Sequence, residues 1–281
     1  MAPPASEPAA RPLRILRQHL ETDRLLGVEA VPLGQLTATS TPPAESHPAD
    51  AKSSTATAAP PSPPPSRHPP HPAAPDPDTP RLPPDASTQE KRQALTQLDQ
   101  YQVRGCTRCV LHQSRRQTVF GEGDPDAGLM IIGEGPGADE DRTGRPFVGR
   151  AGELLDKQIA AMGLTREAVY IANVVKCRPP NNRTPTADEA RTCGDYLHQQ
   201  ILTVQPRVIL TVGGPAAKLL LDTDQGITRL RGTWHAYDQT DPPIPVMPTF
   251  HPAYLLRSYT KENRAKVWSD LQAVMEKLRG G

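Results

Sequence analysis

The sequence predicts an α/β fold: a single domain on a central, mainly parallel sheet flanked by helices, preceded by a disordered Pro-rich N-terminal extension. Two observations predict it. From residue 87 onward, short apolar runs of strand length alternate with helical segments, the pattern of a sheet covered on both faces. Composition also divides the chain: all eleven aromatic residues lie at or beyond Tyr101, and sixteen of the 34 prolines fall between Pro42 and Pro84. Such a tract buries too little apolar surface to offset its chain entropy.

Residues 1–26 form a short N-terminal segment in which Leu13, Leu16 and Leu20 stand at helical spacing among Arg14, Arg17 and Arg24. That pattern suits a helix that docks on a partner protein, or a solvated tail. Residues 27–86 read as a disordered Pro/Ala-rich linker, and residues 87–281 as the folded domain. Within it, Ser87 caps a helix reaching about residue 102. Residues 129–132 form a buried strand, 134–150 a loop, 152–162 a helix stopped by Gly163, and 169–175 a second strand. Thr186 and Glu189 make a capping box for a helix to about 204. A strand at 208–212, a short helix started by Pro215, a strand at 246–250 and a long helix capped by Thr260 complete the domain. Ligands of such sheets bind beyond the strand C-termini, so the loops that begin at Gly133, Lys176, Gly213 and His251 carry the function.

The formal net charge of +1 excludes a wholesale basic coat for nucleic acid, though not a local basic face. No apolar run approaches the roughly 20 residues of a membrane span, and the start shows no secretory h-region. The expected location is cytoplasmic. In a reducing compartment, Cys106, Cys109, Cys177 and Cys193 suit one four-thiolate site better than disulfides. Zinc and an iron-sulfur cluster both accept four thiolates. The absence of a second C-x2-C knuckle favours the cluster.

Gly133-Glu134-Gly135-Pro136-Gly137-Ala138 follows a strand and matches a dinucleotide fingerprint, which opens an oxidoreductase reading. Asp139, Glu140 and Asp141 then stand where a pyrophosphate would sit, and they would repel it. A third reading is a non-catalytic iron-sulfur module that binds nucleic acid. Phe147, inside a Gly/Arg-rich loop, is either a core anchor or a base-stacking ring. Asn173 interrupts an apolar strand and is either a satisfied core amide or a reader of a base edge. His251, at a strand exit, is either structural or catalytic.

Together these motifs resemble the family 4 uracil-DNA glycosylases, the iron-sulfur members of the uracil-DNA glycosylase superfamily. The residues that carry the likeness are Gly133 to Gly137, Glu140-Asp141, Thr143-Gly144-Arg145-Pro146-Phe147-Val148-Gly149, Asn173, the four cysteines and His251-Pro252-Ala253. It spans about residues 102–278. The resemblance implies hydrolysis of the N-glycosidic bond of uracil in DNA, which starts base excision repair. It implies that Cys106, Cys109, Cys177 and Cys193 hold a four-iron four-sulfur cluster, that Phe147 stacks on the flipped base, that Asn173 reads its polar edge and that His251 stabilises the departing base. Glu134 would place the water. Gly135 stands where a better-known branch has a catalytic aspartate, which suits a dissociative mechanism. Pro136 joins the base pocket, and Glu140, held by Asn182, fills the space of a thymine methyl. Arg145, Arg183 and Arg257 contact DNA, with Leu255 and Leu256 wedging into the stack. Adduct-forming relatives carry a basic insertion ending in His, and the loop here, Arg178 to Pro185, has none. The expected partners are uracil-containing DNA and a repair or replication protein at the N-terminal segment. The expected state is a nucleoid-associated monomer.

Overall fold

The computed structural model describes residues 82–83 and 85–280. The N-terminal segment, and the linker apart from residues 82–83 and 85–86, lie outside the described residues. Ser87 opens helix α1 (Thr88–Gln97) as its sequence suggests: the Ser87 hydroxyl accepts from the Glu90 N–H at 3.3 Å, and the Glu90 carboxylate accepts from the Ser87 N–H at 2.8 Å. One wider turn, Leu98–Val103, carries the chain on toward the first cysteines.

Among the described residues six strands form one sheet. They are β1 (Glu122–Gly123), β2 (Leu129–Gly133), β3 (Tyr170–Asn173), β4 (Val208–Val212), β5 (His235–Tyr237) and β6 (Ile244–Thr249). Their order is β1-β3-β2-β4-β6-β5. The four inner strands are parallel, and the two short edge strands pair antiparallel. Those inner strands are the four that the apolar runs predict.

Every residue of β2, β3 and β4 is buried, so side chains alternate between two cores rather than between core and solvent. Leu129 and Ile131 pack with Leu155 and Ile159 of α3 (Arg150–Ala161) and with Trp268 and Leu271 of α8 (Lys261–Arg279). Met130 and Ile132 face the other way, toward Leu197, Ile201 and Val204 of α4 (Ala187–Val204). Each such aliphatic side chain stabilises the fold by roughly 1.5–3 kcal/mol, so the two clusters hold the sheet.

The expectation of an uninterrupted loop at 134–150 is corrected. A short helix, α2 (Ala138–Thr143), occupies part of it. The acids that argued against a phosphate site are the reason: Asp139, Glu140 and Asp141 fill the first turn, where carboxylates complement the helix dipole, and Gly144 at φ 74° ends the helix. The remaining α-helices among the described residues are α5 (Gly214–Leu220), α6 (Ile227–Leu230) and α7 (Pro252–Arg257). Gly133 pairs with Asn173 and Val212 with Thr249, so the chain leaves these strands along one edge of the sheet. Among the described residues no helix is long and apolar enough to cross a membrane.

Candidate active site

A cavity of about 710 Å³ opens at that edge. Glu134, Gly135, Pro136, Glu140, Phe147, Asn173, Asn182, Arg183, His251 and Arg257 line it, joined by Tyr254 and Thr184. Arg145, Leu255 and Leu256 lie outside its lining.

Asn173 ends β3 and is 2% exposed, and its Oδ1 is buried without a hydrogen-bond partner among the described residues. An orphaned buried acceptor costs about 1–3 kcal/mol, so this amide is poorly explained as core structure. Its backbone is nevertheless fixed: the Lys176 amine, itself buried, donates to the Asn173 carbonyl at 2.8 Å and to Gln200 Oε1 at 2.5 Å. Gly133 beside it must lack a side chain, because a Cβ would fall 2.4 Å from both Asn173 Oδ1 and Phe147 Cζ. The glycine lets ring and amide meet.

Phe147 is buried and sits at φ 50°, a left-handed conformation that costs a non-glycine residue on the order of 1–3 kcal/mol. Glu140 helps to hold it there. One carboxylate oxygen accepts from the Gly137 N–H at 3.0 Å, and the other from the Val148 and Gly149 N–H groups at 3.0 and 3.2 Å. The expectation that Asn182 holds Glu140 is therefore corrected, since Asn182 Oδ1 accepts instead from Arg178 Nε at 2.7 Å.

The Phe147 and His251 rings stack at 5.7 Å with 29° between their planes. His251 caps α7, its Nδ1 accepting from the Ala253 N–H at 3.0 Å. Burial, then repulsion from Arg257, pulls the imidazole down to about 4. The ring is thus neutral near pH 7 with its proton on Nε2. At Gly135 a Cβ would fall 2.7 Å from Val175 Cγ2, so a side chain there would force Val175 aside. The neighbouring carboxylate, Glu134, is pushed up by burial and hydrogen-bonded by the Thr184 side chain.

The four cysteines are free thiols around a second, small cavity of about 10 Å³. Donors point at the sulfurs: Arg115 to Cys177 at 3.0 Å, the Lys176 N–H to Cys193 at 3.2 Å, and the Tyr196 hydroxyl to Cys106 at 3.3 Å. Burial pushes the Cys193 thiol up to about 12. Among the described residues no three His, Cys, Asp or Glu side chains gather at single-ion distance; the sulfurs wall a space instead.

Other placements differ from expectation. Leu255 is 2% exposed and packs in the core, because α7 turns this position inward; it cannot wedge into DNA as placed. Leu256 is half-buried against the same cluster. The exposed apolar ring of α7 is Tyr254, which packs on Phe250 at 4.9 Å and lines the cavity. Arg183 is bidentate on Glu189 at 2.7 Å, and Arg145 is bidentate on Glu122 at 2.8 and 3.0 Å. Both would have to leave a carboxylate to reach phosphate. Lys176, which fixes the Asn173 backbone, had no signal in the sequence, since it acts on a backbone carbonyl that no spacing marks.

A family model described as the uracil DNA glycosylase superfamily matches residues 120–272. The chain belongs to that superfamily. It is 45% identical over 185 residues to a type-4 uracil-DNA glycosylase of Thermotoga maritima, covering 64% of this chain and 93% of the relative. A type-4 uracil-DNA glycosylase of Sulfurisphaera tokodaii is 42% identical over 180 residues, 62% of this chain and 81% of its own. A type-5 uracil-DNA glycosylase of Pyrobaculum aerophilum is 35% identical over 114 residues, 35% of this chain and 50% of its own. The stronger likeness is to the type-4 branch of the superfamily.

Proposed function

We infer that this protein hydrolyses the N-glycosidic bond of uracil in DNA and leaves an abasic site, the opening step of base excision repair. The observation that carries the reading is the orphaned, buried Oδ1 of Asn173 beside the Phe147 ring. Uracil presents an N3–H donor next to the O4 acceptor, which complements an amide's oxygen and NH2. Cytosine presents N3 as an acceptor and would leave the amide oxygen facing another acceptor. Extruding a base from the duplex costs a few kcal/mol, and stacking on an aromatic ring returns about 1–3 kcal/mol. Phe147 therefore holds the flipped base and Asn173 chooses it.

As the C1′–N1 bond breaks, its electron pair moves into the uracil ring and charge develops on the base oxygens. His251, neutral with its proton on Nε2, donates to that charge; one such donor is worth about 2.7–4 kcal/mol in the transition state. No carboxylate stands at Gly135, so bond breaking runs ahead of attack. Water, oriented by Glu134 and the neighbouring backbone, then adds to C1′, and the proton it loses neutralises the uracil anion. Glu140, locked on three backbone N–H groups, occupies the space a thymine methyl would need.

The cysteine set fits the ligands of a four-iron four-sulfur cluster: all four cysteines line one small cavity, and N–H and O–H donors of the kind that stabilise thiolates point at three of the sulfurs. Zinc, which needs four sulfurs at about 2.3 Å from one point, is the alternative. When bound, the cluster supplies a covalent staple between the 106–109 loop, the β3 exit and α4. A uracil-containing DNA substrate supports work at the nucleoid in the cytoplasm, and our reading is of a monomer for which residues 1–26 would serve as a handle for a repair or replication protein. Product analysis tests the reading. Free uracil and an abasic strand should appear from a uracil-containing oligonucleotide; a covalent protein adduct, or no uracil from folded protein, would refute it.

A further inference from the structure

We propose that Arg166 is a positioning residue that holds Phe147 in its strained stacking conformation. The inference rests on the reading of Phe147 as the base platform. Arg166 lies in a one-turn helix, Arg166–Ala168, next to the far end of α3 from the cavity loop. Its guanidinium nonetheless reaches the loop. NH1 donates to the Phe147 carbonyl at 3.2 Å, and NH2 donates to the Pro146 carbonyl. The same group is oriented by two carboxylates: Nε donates to Glu122 at 2.8 Å, and NH1 to Asp156 at 2.7 Å. The side chain is 14% exposed, so its bonds to Glu122 and to the two carbonyls are partly shielded from water, while the bond to Asp156 lies at the surface.

The geometry gives this contact a particular task. Phe147 at φ 50° turns its carbonyl back toward α3, where Gly152 leaves room for it; a Cβ at Gly152 would stand 1.9 Å from that oxygen. Relaxing Phe147 to an ordinary φ would swing the carbonyl off Arg166 and rotate the ring away from Gly133 and His251. Glu140 fixes the loop from the N–H side at Val148 and Gly149, and Arg166 fixes it from the carbonyl side at Pro146 and Phe147. Glu122 links this clamp to Arg145, so one carboxylate ties the guanidinium that holds Pro146 and Phe147 to the residue just before them. A planar guanidinium can serve two carbonyls and two carboxylates at once, which an ammonium cannot.

A double-mutant cycle on the full-length protein tests the proposal, read as single-turnover uracil release and as affinity for DNA bearing an uncleavable uracil analogue. Arg166→Met should slow release tenfold or more with affinity changed less than threefold, and Arg166→Lys should recover only part of the loss. In a Phe147→Ala background, Arg166→Met should add less than a twofold loss. Glu122→Gln, which loosens the guanidinium without removing it, is the second probe if Arg166→Met does not fold, and should show the same coupling to Phe147. Equal losses with and without the Phe147 ring would overturn the clamp, as would full activity in Arg166→Met or in Glu122→Gln. If Phe147→Ala alone releases uracil at the wild-type rate, the platform reading fails instead, and the clamp falls with it.

Discussion

The backbone N–H of Ala253 donates to Nδ1 of His251 at 3.0 Å, and this bond decides which proton the imidazole can offer. With Nδ1 occupied as an acceptor, the neutral ring carries its hydrogen on Nε2. Burial first, and then the positive charge of Arg257, hold the ring down to about 4.

For catalysis, His251→Ala should slow single-turnover release by about 10²–10³ while DNA affinity stays near wild type. The wild-type rate should show no inflection near pH 6.5 that His251→Ala removes. A loss under tenfold would make His251 a structural cap only.

The same residue sets a stability trend. Its folded value lies below the 6.5 of an ordinary histidine, so the unfolded chain binds the proton first as pH falls. Stability from this group is fully present above about 6.5 and is lost as pH drops toward 4, by up to about 3 kcal/mol. Denaturant melts at pH 7 and pH 4.5 should differ less in His251→Ala than in wild type. Equal differences in both proteins would count against the assignment.

Asn173→Ala should abolish most uracil release without lowering the melting temperature, because the Oδ1 it removes has no hydrogen-bond partner to lose among the described residues. Asn173→Asp should also lose uracil release, since a carboxylate cannot donate to O4, and should gain weak release of cytosine. A clear fall in melting temperature with normal turnover of the residual folded protein would mark the amide as core structure.

How much of this was legible beforehand depended on whether the signal was local. The inner strands could be read because each is mostly apolar over strand length, and α1 and α4 because Ser87 caps the one and Thr186 with Glu189 caps the other. The edge strands could not: Glu122–Gly123 and His235–Tyr237 are too short to show a period and owe their conformation to β3 and β6. At the site, Gly133, Phe147, Asn173 and His251 stood out as breaks in pattern. The inward turn of Leu255 required knowing that α7 begins at Pro252, and the reach of Arg166 to Phe147 spans 19 residues and ends on a carbonyl, which every residue has.

Gly152→Ala tests that hidden geometry. A methyl group 1.9 Å from the Phe147 carbonyl must displace the loop, so release should fall at least tenfold, with a stability cost of about 1–3 kcal/mol. Unchanged activity, measured beside a thermal melt, would show that the loop tolerates another course.

Cys109→Ser should yield a colourless or bleached protein that melts earlier, while whatever fraction folds releases uracil at close to the wild-type rate. Visible absorption, thermal melting and active-site titration separate these effects. A folded, stable variant with selectively lost turnover would argue that the cluster does more than staple the chain.

The most direct measurement is strand scission by alkali after incubating the full-length protein with a duplex that holds a single uracil, beside matched duplexes with thymine or cytosine at that position. Breakage at uracil alone, lost in Asn173→Ala at unchanged DNA affinity, is the predicted result; intact uracil strands with folded wild-type protein, or equal breakage at cytosine, would contradict the account.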